Sequence, residues 1–115
     1  MWLQLFFGSS LFIALHLLIW FSTNLQFVDG FNQKYTLPLA LTLSIPATLC
    51  AYYGSKLTYG ALEDSLWAVR FIGFGTSYLV FPLLTWILLG ESMFTHKTLA
   101  CIFLSIIIVY IQVFW

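Results

Sequence analysis

Four runs of roughly 20 apolar residues, each nearly free of charge, decide what this chain can fold into. They extend from about Trp2 to Thr23, Tyr35 to Tyr53, Arg70 to Gly90 and Thr98 to Trp115. A helix of that length and polarity crosses the hydrocarbon core of a bilayer. In the first run the polar interruptions are Gln4, Ser9, Ser10, His16 and Ser22. A membrane β-barrel strand would alternate apolar and polar residues, and Ile106-Ile107-Ile108-Val109 does not alternate. The expected fold is all-α: a single integral membrane domain over residues 1–115 with four transmembrane helices.

Composition closes the other routes. Apolar types make up 62% of the chain and charged residues 7%, with four Lys or Arg against four Asp or Glu. A soluble domain carries about 25% charged residues, so this chain cannot coat itself for water. Disorder needs low hydrophobicity and high charge. Nucleic-acid binding needs a basic patch to neutralise phosphates, and none exists. Cys50 and Cys101 lie within apolar runs and read as small hydrophobes. The chain has no phosphate-binding glycine loop, zinc-protease helix, nucleophile elbow or paired carboxylates. No enzymatic activity, metal or cofactor is expected. The first run lacks a basic leader and a small-residue cleavage site, so it reads as a span of the mature protein.

Loops are expected where turn-formers and charges collect: Asn24 to Lys34, Gly54 to Ser65, and Glu91 to Lys97. Trp2, Trp20, Tyr35, Tyr52, Tyr53, Trp67 and Trp115 fall near the proposed boundaries, where amphipathic rings favour the headgroup layer. Orientation follows the Lys and Arg balance between faces. Lys56 and Arg70 share one face, Lys34 and Lys97 the other. That tie leaves two readings: the N-terminal amine or a partner sets the orientation, or the bias is weak and the topology dual, which permits antiparallel dimers.

His16 is the most polar residue well inside a span, about one turn beyond the midpoint. An ionisable group inside a membrane marks a functional site by default, and histidine changes charge near neutral pH. Three readings stay open: hydrogen-bonded packing, a proton or substrate role, and axial ligation of a haem or chlorophyll. Pro46 and Pro82 remove a helical hydrogen bond each and predict kinks that can act as hinges. Ala40, Ser44 and Thr48 recur at four-residue spacing on span two, as do Gly73 and Ser77 on span three. Small residues so spaced let helices pack closely in lipid. Tyr78 and Trp86 are candidates to line a pocket with His16, Ser44, Thr48 and Ser77. Cys101, Ser105 and Gln112 form one stripe of span four, either a subunit interface or the face toward span three. Arg70 reads as a snorkelling side chain and Glu91 as a helix exit.

The stretch SLWAVRFIGFGTSYLVFPLLTWILLGESMFTHKTLACIFLSIIIVYIQ resembles the helix-loop-helix of the drug/metabolite transporter superfamily. The pattern lies in Gly73, Gly75, Ser77, Pro82, the exit Leu88-Leu89-Gly90-Glu91, and the aliphatic helix from Thr98. Upstream, GSKLTYG (Gly54 to Gly60) is similar to the preceding loop in short four-helix members. The resemblance covers about half the chain and implies a subunit like the small multidrug resistance proteins, which pair to form a transport pathway. Those exporters carry a glutamate in the first helix that couples protons to cationic substrates. This first span has no carboxylate, so that mechanism is not implied.

The expected function is a transporter subunit that moves a small, amphipathic molecule by alternating access, as a dimer in a cell (inner or plasma) membrane. Membrane lipids and a small-molecule substrate would be its other partners. The alternative is a non-transporting accessory subunit of a larger membrane complex.

Overall fold

Hydrocarbon offers backbone N–H and C=O groups no partner, so a chain in lipid must satisfy them within itself, and a helix does so locally. The computed structural model, which describes residues 2–92 and 94–114, is built from four helices long and apolar enough to cross a membrane. Helix α1 is Trp2–Asn24, and a 3₁₀ turn, Leu25–Phe27, follows it. A second 3₁₀ turn, Gln33–Tyr35, leads into α2, Thr36–Ala61. Helix α3, Leu66–Leu84, passes into a π-helix, Thr85–Leu89. Helix α4 is His96–Phe114. At 1.5 Å per residue, the 23 residues of α1 reach about 34 Å and the 19 of α4 about 28 Å, both close to the hydrocarbon thickness. The chain is a multi-pass membrane protein by helix length and composition.

Three boundaries differ from the sequence reading. The expected loop from Gly54 to Ser65 is helix as far as Ala61, so α2 runs eight residues past the end of span two. Gly54 is a contact surface there, not a helix breaker. Its carbonyl accepts the Thr58 hydroxyl at 2.8 Å. A side chain on the facing Gly8 would meet Thr58 Cγ2 at 2.5 Å, and one on Gly54 would meet the Gly8 carbonyl at 3.3 Å. Small residues here bring α1 and α2 together. Helix α3 starts at Leu66 rather than Arg70 because Ser65 caps it, its hydroxyl accepting from the Ala68 N–H at 3.2 Å. The turn before it is tight, with Glu63 and Asp64 both in the left-handed region (φ 56° and 57°). Helix α4 begins two residues before Thr98. Trp115 lies outside the described residues.

The helices pack in the order α2–α1–α3–α4, with α1 against both α2 and α3, and α4 against α3. The molecule measures 45 × 36 × 19 Å. Helix α4 rests on α3 and buries none of its described residues, so this is an open layer rather than a closed bundle. Its small core runs along α1, α2 and α3 through Phe12, Trp20, Ala47, Ala61, Ala68, Val69 and Val80.

Both internal prolines lie in the helices expected to kink. Pro46 is in mid-α2, and Pro82 is buried near the end of α3. Pro82 has no N–H to give the Tyr78 carbonyl one turn back. Three residues on, the Thr85 N–H is shared between the Phe81 and Pro82 carbonyls, and the wider π turn begins. It ends at Gly90, whose left-handed backbone (φ 74°) favours glycine.

Candidate functional site

Four residues of α1 at helical spacing, His16, Ile19, Trp20 and Thr23, lie on one stripe that faces α3. With Asn24, and with Ser77, Tyr78 and Phe81 of α3, they line a cavity of about 480 Å³. His16 lies 14 residues into α1, about 21 Å along it, a few ångströms past the midpoint. The open layer leaves this cavity uncovered on one side.

Two hydrogen bonds cross from α1 to α3 on this stripe. His16 Nε2 bonds the Gly73 carbonyl at 2.8 Å. A carbonyl only accepts, so Nε2 carries the hydrogen. A neutral imidazole protonated there holds Nδ1 as an acceptor. No side chain bonds Nδ1, yet among the described residues no buried side-chain polar atom lacks a partner. Nδ1 is therefore accessible. The second bond runs from Trp20 Nε1 to the Thr85 hydroxyl at 3.0 Å. The two bonds fall on either side of Pro82, which pins α1 before the proline and at the first residue of the π turn.

Two of the three hydroxyls in the cavity have already spent their hydrogens on their own helix. Ser77 donates to the Phe74 carbonyl at 2.6 Å and Thr23 to the Ile19 carbonyl at 2.8 Å. What they offer a visitor is lone pairs. No lining residue is Asp, Glu, Lys or Arg.

The structure thus brings together three of the six expected pathway residues: His16, Ser77 and Tyr78. Trp86 lies in the π-helix, in a separate hollow with Tyr78, Pro82 and Phe94. Its ring meets Phe94 edge to face at 6.5 Å. Ser44 and Thr48 are exposed on α2, bonding the Leu41 and Ser44 carbonyls of their own helix. Gly73 contributes its carbonyl rather than close packing, since a side chain there would meet nothing within 4 Å. On α4, Ser105 bonds the Cys101 carbonyl. Ser105 shares a hollow with Gly75 and Tyr78 of α3, Cys101 one with Pro82, and Gln112 one with Glu63. The stripe therefore follows α3 and the turn before it. Arg70 rests its guanidinium 4.8 Å from the centre of the Phe74 ring, and Glu91 lines the hollow that holds Cys101.

Sequence reasoning missed Trp20, Thr23, Asn24 and Thr85. Trp20 reads as an interfacial ring, but it is 2% exposed and bonded across helices. The available signal was its i, i+4 spacing from His16.

No family model matches the chain, and no curated protein or solved structure matches it.

Proposed function

We propose that the chain is a subunit of a small membrane transporter. It moves a small amphipathic molecule across a cell membrane by alternating access, and it works as a dimer. The observation that carries this reading is the open-sided cavity of His16, Ser77 and Tyr78, well inside the span and lined by polar groups without charge. Polar groups inside lipid are costly and persist where something uses them. The open layer gives a second copy a reason to exist, because another subunit would close the cavity. Pro82 and the π-helix beside it put a bend next to the cavity, and π-helical turns are frequent at functional sites. The resemblance of α3 and α4 to the drug/metabolite transporters points the same way.

A second reading, an accessory subunit of a larger complex, has its own support. Ser44 and Thr48 satisfy themselves within α2, and α4 offers an aliphatic face with nothing buried. Native mass spectrometry of the protein released gently from its membrane separates the two. Two copies of the 13.2 kDa chain support the transporter, and retention in a large assembly supports the accessory subunit.

A further inference from the structure

We propose that the His16 cavity takes an uncharged, ring-bearing molecule rich in hydrogen-bond donors, such as an aryl glycoside or another aromatic polyol. This inference rests on the transporter reading and names the substrate class of the same site.

Three features select that chemistry. First, most of the polar atoms on offer are acceptors, with donors only on Tyr78 and Asn24. His16 Nε2 is committed to the Gly73 carbonyl, which leaves Nδ1 as a lone pair. Ser77 and Thr23 have given their hydrogens to the Phe74 and Ile19 carbonyls, so each presents oxygen lone pairs only. Hydroxyl or N–H groups on a ligand fit all three; a ligand with acceptors alone fits none of these and meets donors only on Tyr78 and Asn24.

Second, the lining has no formal charge of either sign. A cation or anion would leave water for a site at hydrocarbon depth without a counter-charge, a penalty that a neutral donor does not meet.

Third, the apolar wall is aromatic. Tyr78 and Phe81 are 38% and 54% exposed, with Trp20 beside them. These rings favour offset or edge contact with another ring. A volume of about 480 Å³ accommodates a ring joined to a sugar-sized polar group.

The test is equilibrium binding to the dimer in lipid nanodiscs, corrected for empty nanodiscs. The probes are phenyl β-glucoside, its tetra-O-methyl ether and phenethylammonium. The expected result is saturable binding of the glucoside, about tenfold weaker binding of the ether, which keeps the ring but has no donors, and no saturable binding of the ammonium. Ser77→Ala removes one acceptor without touching an interhelical bond, and it weakens the glucoside severalfold while leaving the ether unchanged. His16→Leu weakens the glucoside by about tenfold. The wild-type comparison of glucoside with ether holds even if His16→Leu fails to fold. Equal binding of glucoside and ether, or tighter binding of the ammonium, overturns the proposed class and leaves transport standing. Absence of saturable glucoside binding overturns it too. Glucoside binding without glucoside transport overturns the transporter reading and leaves the site.

Discussion

Trp20 gives its indole N–H to the hydroxyl of Thr85, 3.0 Å away, and so ties the buried face of α1 to the first residue of the π-helix beyond Pro82. The bond joins residues 65 apart in sequence, and both are buried. Trp20→Phe keeps most of the ring and loses the donor. Interhelical hydrogen bonds in membranes contribute about 0.6 kcal/mol on average and up to about 1.7, so each of Trp20→Phe and Thr85→Val lowers stability by an amount in that range. Unfolding measurements on the double variant should show little further loss. Fully additive losses would mean that the bond contributes nothing.

The contact of α1 with α2 depends on Gly8. A methyl group there meets Thr58 Cγ2 at 2.5 Å, the Thr58 backbone nitrogen at 3.1 Å and the Gly54 carbonyl at 3.2 Å. Thr58 is fully buried and β-branched, so it cannot swing aside. Overpacking of this kind costs about 1–3 kcal/mol. Gly8→Ala should lower the thermal midpoint clearly, and Gly73→Ala, where space is open, should not. Equal midpoints would show that the two helices do not pack through Gly8.

Membrane depth can be read chemically. In a background where Cys50 and Cys101 are replaced by Ala, a cysteine at Gly30 or Ser92, in the connections before α2 and α4, should react readily with a charged maleimide. A cysteine at Ala14, Ser44, Val80 or Ile106 should react poorly. Ready labelling along α2 would remove it from the membrane.

How far the sequence reached depends on the distance over which its signals act. Four apolar runs without alternation require helices, because lipid leaves the backbone no other partner, and four helices form. Their ends are less legible. Gly54 and Gly60 read as loop residues, yet both lie in α2, where Gly54 serves the contact with Gly8. A glycine at a helix contact looks the same in sequence as a glycine in a turn. His16 stood out because an imidazole in a hydrocarbon run is costly wherever it points. Trp20 did not, since an indole near a span end fits the headgroup layer equally well. Its burial depends on Thr85, which no local pattern links to it. Ser44 and Thr48 lie apart from the His16 cavity, exposed on α2, and each hydroxyl bonds its own helix.

The tautomer of His16 gives a pH dependence with a definite sign. Nε2 keeps its hydrogen in both protonation states, so the bond to Gly73 survives acidification while Nδ1 turns from acceptor to donor. Binding of a donor-bearing ligand therefore weakens as pH falls through the imidazole titration. His16→Gln keeps a donor for Gly73 and offers a carbonyl oxygen in place of Nδ1, so its binding profile should be flat. Among the cavity residues the other titratable side chain is Tyr78, and none carries a charge that would mimic the effect. A slope that persists in His16→Gln would remove His16 from ligand binding.

The measurement that bears most directly on the account is solute exchange across proteoliposome membranes. Radiolabelled phenyl β-glucoside, phenethylammonium and benzenesulfonate would be followed in parallel against protein-free vesicles. The account predicts saturable acceleration of the glucoside by the wild-type protein, strongly reduced by Tyr78→Ala, with the two ions crossing at the protein-free rate. Exchange of all three solutes at the protein-free rate would contradict it.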